Sequence, residues 1–262
     1  MTEFRNPLRD RLASGKIALG MNVRHSRTSE IGPILADCGY HWLMVDDEHS
    51  PMPSGTAYEI MLAAIRAGIC PLARPRTRDH AQIGSQLTNG ALGVMLAHID
   101  TEEEARVTSR ATRYAPEGDL SVPGSITQLG YRKMTLPEAT AAFNRAVMAI
   151  AMIESTAAIE QIEAIAAVPH VDVLFVGASD LTWEMGIPGD YGHERVVAVV
   201  DRMCRAARAN GKYVGIGGVK EDRDWARYID LGVRMVMTEN DLTMMTTRMT
   251  DRAKHYLGMQ KP

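Results

Sequence analysis

Eight times along this chain a short apolar run is followed by a polar turn and then by a longer segment with helical periodicity. That rhythm constrains the fold more than any other feature, because strands joined through helices return parallel to one another. The runs span 17–23, 42–46, 70–74, 93–97, 148–154, 171–176, 213–216 and 234–238. Between them, helices are expected from GTAYEIMLAAIRAG, from TEEEARVTSRATRY with a Thr101 to Glu104 capping box, and from STAAIEQIEAIAAV. A fourth, RVVAVVDRMCRAARANG, ends on the stop signals Asn210 and Gly211. Eight such units predict an α/β fold, a (β/α)8 TIM barrel in a single domain over 1–262. One connection is out of line. Residues 114–147, with Pro116, Gly118, Pro123 and Gly124, are too many for an ordinary loop and are expected to cover the active site, with a surface excursion as the alternative.

Charge and cysteine usage exclude several classes of function. The net charge is -3 and the Lys and Arg residues are scattered, which offers nucleic acid no basic face. Cys38, Cys70 and Cys204 are odd in number, widely spaced and without a CxxC pair, so neither a disulfide framework nor a thiolate metal site is expected. The amino terminus, MTEFRNPLRDRLASGK, is charged, and no apolar stretch approaches the ~20 residues of a membrane span. A cytoplasmic protein with no membrane partner is the expectation.

In a barrel of this kind the active site lies at the carboxyl ends of the strands. The second run finishes as WLMVDDEHSP, bringing Asp46, Glu48 and His49 to that end; the third finishes in Arg74, the fifth in Glu154, and the sixth opens into GASD with Asp180. Each has an ordinary explanation alone: a helix-terminal acid, a cap, an ion pair, a solvated loop residue. Stability does not demand all of them together. His98, Arg24 and His25 share the location without an evident partner, and Asp47 is expected to be a solvated carboxylate. All-oxygen ligation by Glu154 and Asp180 favours Mg²⁺ or Mn²⁺. A 2-keto acid could chelate such an ion, Arg74 could balance charge at an enolate oxygen, and His49, oriented by Asp46, could move protons. That is carbon–carbon bond chemistry.

The stretches GYHWLMVDDEHSP, PLARP, GALGVMLAHIDTEEEARVTSRATRY, MIES and VDVLFVGASDLTWEMGIPG resemble the HpcH/HpaI class II aldolases, which share a fold with macrophomate synthase and the citrate lyase β subunits. The resemblance runs from about 17 to 257. It implies a metal-dependent aldolase that cleaves 4-hydroxy-2-keto acids to pyruvate, or a related keto acid, and an aldehyde. It further implies that Glu154 and Asp180 hold the metal (Mg²⁺ or Mn²⁺, with Co²⁺ a third candidate), that His49 and Asp46 form a base dyad, and that Glu48 partners metal-bound waters. Arg74 would stabilise the enolate, and the turn at Gly177, Ala178 and Ser179 would offer backbone N–H groups to the substrate carboxylate. A homo-oligomer, hexamer or trimer, would exchange the last helix, roughly 242–256, between neighbours.

Three positions depart from the better-known members: Met152 replaces a glutamine, Thr88 an aspartate, and Leu120 a common arginine. The chelating residues are kept while the aldehyde side has changed. A decarboxylase of oxaloacetate-like acids using the same metal is therefore the alternative enzyme, and a keto-acid-binding protein without turnover is the alternative outside catalysis.

Overall fold

The computed structural model describes residues 4–130 and 132–259; the ends of the expected domain, 1–3 and 260–262, and Tyr131 within the excursion lie outside the described residues. A short opening helix, α1 (Pro7–Ala13), is followed by β1 (Ala18–Val23), α2 (Ile31–Asp37), β2 (Trp42–Asp46), α3 (Ser54–Arg66), β3 (Cys70–Arg74), α4 (His80–Thr88), β4 (Gly93–Leu96) and α5 (Glu102–Arg110). A 3-10 turn (Thr127–Leu129) and α6 (Leu136–Ala146) precede β5 (Met148–Ile153), α7 (Thr156–Glu160), α8 (Ile162–Ala167), β6 (Val171–Val176) and α9 (Ala178–Glu184). The chain ends with α10 (Glu194–Ala209), β7 (Tyr213–Gly217), α11 (Asp222–Leu231), β8 (Met235–Asn240) and α12 (Asp241–Leu257). The eight strands pair in sequence order, all parallel, and β8 closes on β1. This is the expected (β/α)8 barrel.

Because a parallel barrel buries both faces of its strands, they read as continuous apolar runs, and the alternation shows only in which layer each residue enters. Leu43, Val45, Ala149, Ala151 and Leu174 pack outward in the shell beneath the helices, whereas Trp42, Met44, Ile150, Val173 and Phe175 point into the barrel interior. The interior pairs large side chains with glycines. The Trp42 ring lies across the Cα of Gly20, donating its indole N–H to Ala18 O at 3.1 Å, and the Phe175 ring lies across Gly215. α1 closes the amino-terminal end of the barrel with Leu8 and Leu12. It starts where the sequence has Asn6 and Pro7, an N-cap followed by a proline pre-set for the first turn. Asn6 also donates to Leu92 O and Ala146 O, at 3.1 and 2.9 Å, while Arg9 and Arg113 converge on Asp172 at 2.8 and 3.0 Å.

The long segment 114–147 does not cover the mouth of the barrel. It joins a helix to a strand, so it leaves and returns at the amino-terminal end, and none of its described residues lines the cavity at the strands' carboxyl ends. Nor is it structureless, since α6 starts at a Thr135/Glu138 capping box. Its Leu120, Ile126 and Leu129 are buried in the outer shell, and Gln128 bonds Ala91 O at 2.8 Å. Leu120 is thereby a packing residue beside α4, and Thr88 is exposed at the last turn of that helix. α12 has only Asp241 buried and leaves Leu242, Met245, Met249, Tyr256 and Leu257 exposed. Among the described residues no helix is long and apolar enough to cross a membrane.

The close approach of Trp42 to Gly20 gives a direct test of the interior. Gly20→Ala places a methyl inside a fully buried ring that has no room to move, so it is expected to lower stability by about 1–3 kcal/mol, read from the urea midpoint. An unchanged midpoint would contradict the packing described.

Candidate active site

Asp46 ends β2 fully buried, and the parallel register sets it beside Arg74 at the end of β3. Arg74 donates to it as a fork, Nε to Oδ1 at 3.1 Å and Nη2 to Oδ2 at 2.7 Å. Asn22 Nδ2, from β1, adds a bond to Oδ2 at 3.1 Å, and the backbone N–H of His49 donates to Oδ1 at 3.1 Å. Burial opposes ionisation of Asp46, but the hydrogen bonds and charge of Arg74, with Asn22 and the His49 N–H, hold its carboxyl below the usual range. Burial likewise opposes the charge on Arg74, and Asp46, Glu48 and Glu154 more than offset it. Glu48 Oε2 reaches Arg74 Nε at 3.1 Å and His49 Nε2 at 3.7 Å.

Across the mouth, Glu154 follows β5 and is 4% exposed, while Asp180 sits in the first turn of α9. Only glycine fits at position 177, because a Cβ there would overlap the Glu154 carboxyl. Burial pushes the Glu154 carboxyl up, and the nearby Asp180 charge pushes the same way, against the His98 N–H and the Arg74 charge. Glu154, Asp180, Arg74, His49, Gly177, Ala178 and Ser179 all line one cavity of about 310 Å³, with Met152 and Asn22 in its wall. Larger clefts between α2 and α3 and beside the 122–139 segment bring together no comparable set of groups. Among the described residues no three His, Cys, Asp or Glu side chains form a ready-made metal cage. The two carboxylates fit a hard cation that takes its other ligands from water and substrate.

Several expectations need correction in detail. Asp46 does not face the His49 imidazole; it holds the backbone N–H, and the ring turns toward Glu48. Glu48 is committed to Arg74 and lies outside the cavity lining. Gly177 N–H is spent on Ile153 O at 3.1 Å, so the unpaired amides of the turn are those of Ala178 and Ser179 at the start of α9. Asp47 is only partly exposed and has partners, since Arg76 pairs with it at 3.1 Å and Gln86 reaches it at 3.4 Å. Arg24 bonds His49 O at 3.0 Å, and the backbone N–H groups of Arg24, His25 and Ser26 all donate to Asp241. Asn22 was not anticipated, although a polar residue inside the run ALGMNV was its signal.

Residues 25–241 match the family described as HpcH/HpaI aldolase/citrate lyase. The chain belongs to this family. It is 32% identical over 258 residues to a 4-hydroxy-4-methyl-2-oxoglutarate aldolase of Chaetomium globosum, covering 97% of this chain and 95% of that one. It is 31% identical over 217 residues to a 2-keto-3-deoxy-L-rhamnonate aldolase of Shigella boydii, covering 83% and 80%. The crystal structure of an HpcH/HpaI aldolase from Desulfitobacterium hafniense superposes with a TM-score of 0.91 at 26% identity, covering 97% of this chain and 99% of the other.

Removing Asp46 takes both fork hydrogen bonds from the buried Arg74 and leaves Glu48 as its near partner, so Asp46→Ala is expected to cost about 2–3 kcal/mol at pH 7 in urea denaturation. The folded protein lowers the Asp46 pKa, so this contribution is complete above the unfolded value of about 3.9 and fades as pH falls through the lower folded value. The gap between wild type and variant therefore shrinks at pH 3; an equal gap at both pH values would contradict the pairing.

Proposed function

We propose that this family member is a class II aldolase that cleaves a 4-hydroxy-2-keto acid to pyruvate, or a related 2-keto acid, and an aldehyde. The observation that carries the reading is the single cavity that Glu154, Asp180 and the charged Arg74 line together. A divalent cation, Mg²⁺ or Mn²⁺ by the all-oxygen donor set, would be held by Glu154 and Asp180 and supplies Lewis acidity toward a keto oxygen. The unpaired N–H groups of Ala178 and Ser179 hold the substrate carboxylate. His49 takes the proton from the 4-hydroxyl, the C3–C4 bond breaks, and its electron pair moves to the C2 oxygen, where Arg74 balances the developing charge. The proton delivered to C3 then completes pyruvate, and the former C4 leaves as the carbonyl carbon of the second product, an aldehyde where C4 carries hydrogen and a ketone where it is fully substituted. Asp46 acts behind this line by keeping Arg74 in place.

The resemblance of α12 to an unpartnered helix, with its row of exposed apolar residues, supports a homo-oligomer in which a neighbour covers it. A cytoplasmic setting is consistent with three free cysteines, two of them buried.

Pyruvate release from 4-hydroxy-4-methyl-2-oxoglutarate and from shorter 4-hydroxy-2-keto acids, coupled to lactate dehydrogenase, tests the reading. Glu154→Gln and Asp180→Asn are each expected to lower the metal-dependent rate by about 10³-fold or more with the fold retained by circular dichroism. Full activity in either variant would overturn the site. CO₂ release from oxaloacetate with no C3–C4 cleavage of any 4-hydroxy-2-keto acid would move the assignment to decarboxylation.

A further inference from the structure

His98 carries a backbone that a histidine rarely adopts. Its φ is 53°, in the left-handed region, and of the described residues other than glycine only His170 shares that feature. Such a conformation persists where the surroundings over-determine it, and at His98 they do. Its N–H donates to Glu154 Oε2 at 2.9 Å. Its carbonyl accepts from Arg78 Nη1, and the same guanidinium pairs through Nη2 with Glu104 Oε1 at 3.0 Å. Glu104 in turn holds the N–H groups of Asp100 and Thr101 at 2.9 and 3.1 Å, and Ile99 N–H is bonded to Met152 O at 3.2 Å. The turn after β4 is thus gripped from β5, from the start of α5 and from the loop after β3. The imidazole takes little part: it is more than half exposed, with its nitrogens 3.7 Å from Glu154 and 3.9 Å from Glu48.

We propose that His98 is a positioning residue that acts through its backbone amide: the left-handed turn, latched by Arg78, aims the N–H at Glu154 Oε2 and fixes the carboxyl for the cation. The inference rests on the metal-dependent reading of the site. Glu154 is then held by the His98 amide in the space that the bare backbone of Gly177 leaves for its carboxyl. Hydrogen bonds that orient a ligating carboxylate commonly set metal affinity as strongly as the ligand's own chemistry.

The discriminating experiment compares substitutions by their backbone demands and reads Mn²⁺ affinity by titration calorimetry of metal-free protein, with no substrate present. Glycine keeps the amide and enters the left-handed region without strain, so His98→Gly is expected to bind Mn²⁺ within about threefold of wild type. Valine resists that region, and His98→Val is expected to bind about 10- to 100-fold more weakly. Arg78→Met, which removes the latch and leaves His98 itself, is expected to weaken binding about tenfold or more. Loss in the glycine variant equal to that in the valine variant would assign the effect to the ring, and full affinity in the valine variant would show that the amide is not needed; either overturns the inference. Should His98→Val fail to fold by thermal melting, Arg78→Met decides alone, its unchanged affinity being the contrary result. Absence of Mn²⁺ binding in the wild type would instead overturn the metal reading, and this inference with it.

Discussion

The fork between Arg74 and Asp46 is the interaction on which the rest of the site depends. A buried ion pair is tolerable only when its geometry is good and its remaining groups are bonded. Here the parallel register of β2 and β3 sets the two residues side by side, and Asn22, the His49 N–H and Arg24 Nε at 3.6 Å surround the rest of Asp46. The result is a permanent cation at the cavity wall, 7% exposed, whose position is dictated by the barrel rather than by a loop. Glu154 and Asp180 can share the cavity with it because that charge is fixed, while Glu48 pairs with Arg74 itself.

Arg74 ends β3 and Glu154 directly follows β5, each held by a hydrogen-bonded neighbour. β5 delivers Glu154 into a space kept open by the absence of a side chain at Gly177, and α9 begins there with unpaired amides and Asp180. The loop after β1 is tied to the head of α12 through Asp241, so the terminal helix and the Arg24 that touches His49 share one anchor. The proposed chemistry on an enolate asks for a cation, an anion-binding turn and a base around a small volume, and the residues offered for these roles come from the ends of β2, β3, β5 and β6 with no residue of the 114–147 segment in the cavity lining.

Much of this was legible in the sequence, because a parallel strand buried on both faces announces itself as an apolar run. The bounds of β2 and β3 match residue for residue, and Glu154, Asp180, Arg74 and His49, legible as residues at or just past the ends of such runs, line one cavity. What was not legible depends on direction rather than spacing. The sequence DDEH says nothing of which atom of His49 meets Asp46, and a carboxylate beside Arg76 in space, like Asp47, looks solvated in one dimension. The excursion at 114–147 was misplaced because its length was weighed and its topology was not, since a helix-to-strand connection returns at the far end of the barrel. His98 had no partner in the sequence because its partners are a backbone geometry, a residue twenty positions earlier and one fifty-six later.

The central claim is that the cavity stabilises the enolate of a small 2-keto acid with the help of a divalent cation. Loss of the pyruvate methyl signal by proton NMR in D₂O, with wild-type protein and either Mg²⁺, Mn²⁺ or Co²⁺, measures that step without any aldehyde. Exchange that requires added metal and stops with chelator is the predicted result. No exchange with any of the three ions, for pyruvate or for a longer 2-keto acid, would contradict the account.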